Sequence, residues 1–248
     1  MTVLTPKFGM GASVLRVEDA AFITGKGRYT DDIAPEGTLH GYVLRSPMAN
    51  AGFTMGATDA AKAAPGVRLV LTGADVAHLN PLKSPAMQRQ PDGTRAPTRD
   101  IPILCTDQVR YVGDAIAFVV AESRAQAQDA AELIDVTYED RPAIAATAGA
   151  LDADAPLVWP EAGSNKSFEY LLGEREKADA AFAAATRFAR IAFHNNRLVC
   201  NYMEPRAAIG EWHADEDRFV LTTGSQGVHS MRRIIAEQVF AMPAEKLR

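Results

Sequence analysis

Few residues of this 248-residue chain have the types and spacing that a reactive centre requires. The five histidines are scattered, with no pair four residues apart on a predicted helix; they are His40, His78, His194, His213 and His229. The chain has no Gly-x-x-x-x-Gly-Lys-Ser/Thr phosphate loop, no Gly-x-Gly-x-x-Gly after a strand, no His-Glu-x-x-His and no Gly-x-Ser-x-Gly. A nucleotide-binding α/β protein is therefore disfavoured, and these residue types alone predict no metal site.

The two cysteines, Cys105 and Cys200, limit the redox chemistry of the chain. Two thiols cannot form a four-thiolate zinc site or ligate an iron–sulfur cluster without ligands from elsewhere. Neither cysteine has a histidine or a basic residue at a spacing that would lower the thiol pKa. We therefore expect both thiols to be chemically inert, and no disulfide framework is implied.

Gln226 follows a predicted strand and lies between Gly224 and Gly227. From the sequence alone, the favoured interpretation is structural: Gln226 would cap the helix predicted from His229.

Composition predicts an ordinary soluble globular protein. Hydrophobic residues make up 47% of the chain, and 26 basic against 31 acidic side chains give a formal charge of −5, which argues against a nucleic-acid partner. The first ten residues lack the pattern of a signal peptide, and the longest apolar run, 115–121, is far shorter than the roughly 20 residues that span a bilayer. We expect a cytoplasmic location.

The first half of the chain has the hydrophobic periods of an α/β domain. Apolar patterns predict strands at 39–45, 67–71, 115–121 and 134–138, and helices at 59–64 and from 123. Asp59 is the predicted cap of the first helix, and Ser123 with Gln126 matches a capping box at the second. The apolar face of the second helix comprises Ala127, Ala130, Ala131 and Ile134. The order of strand, helix and strand predicts crossover units.

Segments with weaker patterns interrupt and follow this domain. Residues 79–102 hold five of the 14 prolines and are predicted to form a surface insertion or, alternatively, a lid or docking arm beside a ligand channel. Residues 146–176 have the pattern of a linker. Beyond it, the periods predict a helix at 178–186, strands at 187–193, 207–212 and 219–223, and a helix at 229–242 whose apolar stripe is Ile234, Ile235, Val239 and Phe240.

Several specific motifs follow one another along the whole chain. They are GASVLRVED (11–19), FITGKGRYTDDI (22–33), LRSP (44–47), PGV (65–67), VRYVGD (109–114), VTYE (136–139), NNRL (195–198), MEPR (203–206) and GSQGVH (224–229). In this order and spacing they resemble the large, molybdenum-binding subunit of the xanthine dehydrogenase/aldehyde oxidase family, which includes aerobic carbon monoxide dehydrogenase. The resemblance covers essentially all 248 residues.

The resemblance implies an α/β (α+β) fold with two functional parts. An extended segment, 1–38, would precede an α/β hammerhead domain at 39–145, and a linker at 146–176 would lead to the first, incomplete part of a molybdopterin-binding domain at 177–248. Large subunits of the family continue for several hundred residues, which include a Gly-Gly-Phe-Gly segment near the cofactor and a general-base glutamate. We therefore expect this chain alone to be inactive.

The resemblance also implies a role for Gln226 that the residues alone do not. Hydroxylases of the family place a glutamine from a Ser/Thr-Gln turn against an oxygen ligand of the molybdenum, and Gln226 occupies that position. A neutral amide can donate to that oxygen without adding charge that would shift the potential of the metal. Gly224 and Gly227 would contribute to the same cofactor site, and no residue of this chain is expected to ligate the metal directly.

Glu204, Arg110 and Arg197 each have two interpretations. Because Pro205 favours extended backbone at Glu204, the carboxylate would ordinarily form an ion pair with Arg206, and a position in the substrate channel is the alternative. The two arginines could bind the phosphate of the cofactor or a neighbouring subunit, although most such side chains form surface or interface pairs.

The function implied is that of one part of a molybdenum hydroxylase, which oxidises an aldehyde or an N-heterocycle with oxygen taken from water. The molybdopterin-type cofactor would be shared with the rest of the large subunit. Iron–sulfur clusters and FAD are expected on partner subunits, since this chain cannot hold clusters. The alternative is a non-catalytic docking or scaffold module of such an assembly that binds no cofactor itself.

Overall fold

The computed structural model describes residues 9–10, 16–83, 89–196, 198–202 and 204–248. The strands are β1 His40–Arg45, β2 Ala51–Met55, β3 Val67–Thr72, β4 Leu82–Lys83, β5 Asp100–Ile101, β6 Gln108–Val109, β7 Ala115–Ala121, β8 Val136–Asp140, β9 Ala208–His213 and β10 Arg218–Thr223. The helices are α1 Asp19–Phe22, α2 Asp59–Ala63, α3 Arg124–Glu132, α4 Arg175–Ala184 and α5 Val228–Arg233, which continues as a π-helix over Ile234–Val239. Short 3₁₀ turns occupy Thr30–Asp32, Pro160–Ala162 and Ala244–Lys246.

Strand β7 is the centre of the first sheet, whose order is β1-β7-β3 with antiparallel pairing throughout. Four of the seven residues of β7 are buried and the other three are half-buried, in agreement with the apolar run that predicted this strand. Its residues Ala117, Val119 and Ala121 form one core cluster with the predicted apolar face of α3. All four residues of that face are buried, which confirms the prediction.

The second sheet, in the order β6-β2-β8, is also antiparallel. The prediction of crossover units is therefore wrong: β7 and β8 flank α3 in sequence but belong to different sheets. A second core cluster, which includes Phe53, Val109 and Ile116, lies where the side chain of Ile116 from β7 meets this sheet. The fold nevertheless combines helices and strands as the α/β (α+β) assignment predicts.

The two predicted helix caps have different outcomes: Ser123 is the cap of α3 as predicted, whereas Asp59 is not the cap of α2. Ser123 caps α3, and its Oγ accepts a hydrogen bond from the Gln126 backbone N–H at 3.3 Å. The reciprocal half of the capping box is absent, because the amide oxygen of Gln126 accepts from the Ser123 hydroxyl instead. Asp59 is the first residue of α2 and not its cap, which is Thr58.

Residues 79–83 and 89–102, called the arm below, contain paired strands and are not structureless. Strands β4 and β5 pair at its base, and an isolated bridge joins Arg89 to Arg95 nearer the tip. The backbone N–H of Asn80 donates to the Val239 carbonyl at 3.0 Å, which ties the base of the arm to the π-helix. Residues 84–88 lie outside the described residues.

The last 50 residues build a small sheet and a helix. Strands β9 and β10 pair antiparallel, and Leu247 and Arg248 lie parallel to β10 on its other side, with Arg248 N–H donating to the Phe219 carbonyl at 2.9 Å. The predicted strand over 187–193 is wrong, since these residues are exposed and have no regular structure. The predicted helix 229–242 is present as α5 and the π-helix, but only Val239 of the predicted apolar stripe is buried.

Candidate functional site

The candidate site is the exposed loop 224–230, which leaves the end of β10 and enters α5. Local polar contacts fix its course. The backbone N–H of Gly227 donates to Ser225 Oγ at 3.0 Å, and Ser230 Oγ donates to the Gly227 carbonyl at 2.8 Å. These contacts involve serine hydroxyls and backbone, and Gln226 takes part in none of them.

Gln226 does not cap the following helix, so the structural interpretation of this residue is wrong. The N-cap of α5 is Gly227, and no side chain caps it. The Gln226 amide is exposed and makes no hydrogen bond to another residue of the described chain. It lines an open cleft together with Ser225, His229 and Arg233. Its donors and acceptor are thus free to meet a ligand.

The two glycines of the loop have different surroundings. At Gly227 an added Cβ would lie 2.7 Å from Ser230 Oγ, so a side chain there would displace the serine that holds the loop. At Gly224 an added Cβ would meet only Glu204 Oε1, at 3.9 Å. The backbone at Gly224 is therefore open to a close approach, and Glu204 lies beside the loop that carries Gln226.

The carboxylate of Glu204 lies near the candidate site and does not pair with Arg206, its neighbour in sequence. No ion pair among the described residues joins Glu204 to Arg206, although that pair was the ordinary expectation. Instead, the extended segment before β9 brings the carboxylate next to Gly224, across from the end of β10. The four candidate positions 204, 224, 226 and 227 therefore share one region of the surface.

The other sequence candidates lie elsewhere. The guanidinium of Arg110 is 5.8 Å from the centroid of the Trp159 ring, and Arg99 approaches the same ring at 5.8 Å. This contact attaches the segment after the two three-stranded sheets to the arm and the β6–β7 turn, a structural role. Arg197 lies outside the described residues.

The cysteines are separate and free. Burial raises the pKa of the Cys105 thiol to about 11, with a smaller contribution from the nearby Asp114 charge. Cys200 is exposed. Within the described ranges, no three His, Cys, Asp or Glu side chains come together as metal ligands, and no helix is long and apolar enough to cross a membrane.

Sequence reasoning missed a group of residues on the other side of the same loop. Arg232 and Arg248 line a cavity there with Ser225, and His229 lines both this cavity and the cleft of Gln226. Arg248 reaches the cavity only because its segment pairs with β10, a contact between distant parts of the chain. The spacing of charged residues in the sequence does not show that pairing.

Comparison with known protein families gives this geometry a context. Residues 24–142 match the family described as aldehyde oxidase and xanthine dehydrogenase, a/b hammerhead domain. Residues 159–248, which include the whole candidate site, match the molybdopterin cofactor-binding domain. These matches overlap the ranges predicted for the two domains, 39–145 and 177–248, and each begins before the predicted range.

Curated relatives agree with the family matches. The chain is 33% identical to the nicotine 6-hydroxylase large subunit of Paenarthrobacter nicotinovorans over 92% of this chain and 27% of the relative. It is 30% identical to the carbon monoxide dehydrogenase large chain of Afipia carboxidovorans over 96% of this chain and 30% of the relative. The chain thus spans under a third of the length of these relatives.

Solved structures show the same architecture. Quinoline 2-oxidoreductase from Pseudomonas putida 86 superposes with a TM-score of 0.81 and 33% identity, over 95% of this chain and 29% of that one. The Cu,Mo-CO dehydrogenase superposes with a TM-score of 0.78 and 28% identity, over 96% and 30%. These proteins define the class of molybdenum hydroxylase large subunits. The chain belongs to the xanthine dehydrogenase/aldehyde oxidase family of that class, and it matches an N-terminal portion of the large subunit.

Proposed function

We propose that this chain supplies one wall of the molybdenum cofactor site of a hydroxylase, with Gln226 against the cofactor. The observation that carries this proposal is the free, exposed amide of Gln226 on a loop within the segment that matches the cofactor-binding domain. In contrast, the hydroxyls of Ser225 and Ser230 form hydrogen bonds with the backbone of the same loop.

The residues of the loop fit such a cofactor. Gly224 has open space where a side chain would project, so a large ligand can approach the backbone there. The Gln226 amide can donate a hydrogen bond to an oxygen of the cofactor while it adds no charge. The bound molybdenum centre would supply the redox chemistry, and Gln226 would hold the orientation of the group it contacts.

In this proposal, Glu204 lines the path by which a substrate reaches the cofactor. Its carboxylate lies beside Gly224 and has no ion-pair partner among the described residues, so it is available to a substrate. A carboxylate can accept hydrogen bonds from a polar substrate and orient it toward the cofactor. Glu204 therefore acts as a positioning residue rather than as the base of the reaction.

The substrate class of the proposed enzyme is an aldehyde or an N-heterocycle, hydroxylated with oxygen from water. The named relatives act on nicotine, carbon monoxide and quinoline, so the class is broad. One relative is named as subunit gamma of a dehydrogenase complex, which supports assembly with further subunits. We propose that the remaining large-subunit polypeptide completes the cofactor site, that partner subunits carry iron–sulfur clusters and FAD, and that this chain alone is inactive.

The domain division follows the same proposal. Residues 39–145 would form the hammerhead domain and 177–248 the beginning of the cofactor-binding domain, with 1–38 as an extended segment and 146–176 as a linker. Support comes from the positions of the two family matches.

The test is to purify the chain with its co-eluting polypeptides, measure molybdenum by elemental analysis and compare Gln226→Ala with wild type. We expect stoichiometric molybdenum in both and a 10–100-fold lower kcat in the variant, as when an outer contact of a metal centre is removed. Gln128→Ala, a change of the same type on the exposed face of α3, is the control and should retain full kcat.

A metal-free complex that contains the rest of the large subunit would contradict the proposal. It would favour the alternative, a docking or scaffold module that binds no cofactor. Equal kcat for Gln226→Ala and wild type would agree with a place for this chain in the enzyme. It would contradict the proposed position of Gln226 against the cofactor.

A further inference from the structure

A groove of about 1020 Å³ separates strand β9 from one face of the β1-β7-β3 sheet. One wall of the groove is formed by the consecutive residues 206–211, which include the first four residues of β9. The floor is formed by Gly41 and Val43 of β1 and by Phe118 and Val120 of β7. Because side chains alternate between the two faces of a strand, an unbroken run of lining residues indicates that the backbone edge of β9 faces the groove.

The floor of the groove is an apolar sheet face without a helix on it. Helix α3 packs against the opposite face of this sheet, where Ala117 and Val119 of β7 are buried. Phe118 and Val120 lie on the groove face and are half-buried, and Leu69 of β3, which pairs with Val120, is 46% exposed. This face therefore has apolar area left to cover.

Hydrogen bonds on the far side of β10 show which of its residues bond to β9. The Leu221 N–H donates to the Arg248 carbonyl at 2.8 Å, and the Arg248 N–H donates to the Phe219 carbonyl at 2.9 Å. Alternate residues of an antiparallel strand direct their backbone groups to opposite sides. The even-numbered residues of β10 therefore direct their N–H and C=O groups to β9.

This pattern leaves alternate residues of β9 with free backbone groups. The register places even-numbered residues of β10 opposite odd-numbered residues of β9, as with Thr222 and Ile209. The N–H and C=O groups of Ala208 and Gly210 consequently point away from β10 and toward the groove. Among the described residues, no other strand pairs with β9 at this edge.

The open edge of β9 lacks the features that normally prevent strand addition. Natural proteins protect such edges with a bulge, a proline or a charged side chain. The register of β9 with β10 is continuous, and the stretch Ala208-Ile209-Gly210 contains neither proline nor charge. An unprotected edge of this kind is a template for another strand.

An extended polypeptide suits both walls of the groove. As a strand beside β9, it would pair with the free groups of Ala208 and Gly210 together, and every second side chain would lie on Phe118 and Val120. A small ligand could not satisfy a row of backbone donors and acceptors and cover the sheet face at the same time.

We infer that a segment of the remaining large-subunit polypeptide adds a strand to the free edge of β9, with alternate apolar side chains on the floor of the groove. Strand β9 belongs to residues 159–248, which match the cofactor-binding domain, and the chain covers only 27% and 30% of the two relatives described above. Those relatives therefore contain ample polypeptide beyond the matched portion. The inference rests on the proposed function for the presence of this polypeptide.

The first experiment measures hydrogen exchange, resolved at single residues by fragmentation mass spectrometry, in the chain alone and in the complex that co-purifies with it. We expect the amides of Ala208 and Gly210 to exchange about tenfold or more slowly in the complex, because they gain hydrogen-bond acceptors there. The Ile209 amide already bonds to β10 and is the internal control, protected in both samples.

The second experiment removes one outward donor. Gly210→Pro deletes an N–H that does not bond to β10, and proline is tolerated on an edge strand where the N–H faces outward. We expect about tenfold or more loss of the co-eluting large-subunit polypeptide, because the proline ring also blocks the edge. Gly210→Ala is the matched control: it keeps the N–H, its Cβ meets no atom within 4 Å, and recovery should change less than about twofold.

A folding check keeps the second experiment decisive. Circular dichroism of the chain alone shows whether Gly210→Pro folds. If it does not, Ala208→Pro removes the other outward N–H and takes its place, with the same expected loss.

Several outcomes overturn the inference. They are unchanged exchange of Ala208 and Gly210 in a complex that contains the rest of the large subunit, equal recovery with the proline variant and wild type, and a chain that purifies without that polypeptide. Slow exchange of the same amides in the chain alone also overturns it: the mass of a dimer would then assign the edge to a second copy, and the mass of a monomer to another segment of this chain.

Molybdenum content separates this inference from the proposed function. A complex that protects Ala208 and Gly210 but contains no molybdenum supports the added strand and contradicts the cofactor site. A complex that contains molybdenum but leaves these amides unprotected contradicts the added strand alone.

Discussion

At the scale of single residues, burial decides which side chains can react. The side chain of Cys105 is 4% exposed and packs in the core cluster of the second sheet, where a charged thiolate would lose its hydration. Gln226 has the opposite environment, since its amide is exposed and free of contacts within the described chain. The same physical factor, access to solvent, thus separates an inert residue from a candidate for binding.

The raised pKa of Cys105 predicts slow alkylation. With a pKa of about 11, only about one thiol in a thousand is ionised at pH 8, and the thiolate is the reactive form. We expect iodoacetamide to label exposed Cys200 within minutes at pH 8 and Cys105 only after denaturation, as measured by peptide mass spectrometry. Rapid labelling of Cys105 in the folded chain would contradict this assignment.

The same shift affects stability at alkaline pH. As pH rises above the ordinary thiol value of 9.0, the unfolded chain loses the Cys105 proton while the folded chain keeps it until about pH 11. The unfolded state therefore binds fewer protons in this window, and the free energy of unfolding falls between pH 9 and 11. The Cys105→Ala variant is the control and should show a smaller fall over the same range.

Residue-scale reasoning from the sequence proposed Gln226 and Glu204 as site residues but did not single out Arg232 and Arg248, which line the neighbouring cavity. The first pair belongs to motifs that are continuous in sequence, so a resemblance can reveal them. The second pair meets only because the segment of Arg248 pairs with β10. A contact of that kind depends on strand pairing, which single-sequence patterns do not encode.

At the scale of secondary structure, the sequence patterns predicted individual strands and helices well, but they did not predict which strands pair with each other. The bounds of β7 are those that its apolar run predicts, and the buried face of α3 has the predicted residues. The predicted crossover was wrong because alternation shows which face of a strand is buried but not which strand lies beside it. The predicted strand over 187–193 shows the same limit: it alternates, but no described strand pairs with it.

Removal of the cap of α3 tests how much this helix depends on local structure. Ser123 Oγ accepts from the Gln126 N–H, so Ser123→Ala should leave that donor without its partner and lower the free energy of unfolding by about 0.5–2 kcal/mol. Urea unfolding monitored by circular dichroism measures the change. Ser123→Asp retains an oxygen acceptor and should lose less than the alanine variant.

An exposed position on the same helix supplies the control for that experiment. Arg124→Ala removes a long side chain from the first turn and leaves the cap in place, so it should shift the unfolding free energy by less than about 0.5 kcal/mol. If Ser123→Ala were as mild as Arg124→Ala, the cap would not contribute to the stability of α3.

At the scale of the whole molecule, apolar burial is uneven. Both core clusters belong to the two hammerhead sheets and α2 and α3. In contrast, residues 168–202 carry many large apolar side chains that are exposed; they include Phe168, Leu172, Phe182, Phe188, Ile191, Phe193, Leu198 and Val199. Large contiguous apolar patches are rare on monomeric soluble proteins and mark interaction sites. This feature supports a chain that works inside a larger assembly.

This exposed segment predicts strong binding of a hydrophobic dye by the chain when it is purified alone. The triple variant Phe188→Ser, Ile191→Ser, Phe193→Ser removes three of the exposed apolar groups and should lower dye fluorescence markedly, with little effect on the unfolding temperature because none of the three is buried. A matched variant, Val17→Ser, Ile23→Ser, Val112→Ser, changes exposed apolar residues outside the segment and should keep most of the fluorescence.

In the complex with the rest of the large subunit, wild type should bind as little dye as the first variant. Equal fluorescence of wild type alone and in the complex would show that this surface is not the one that the assembly covers.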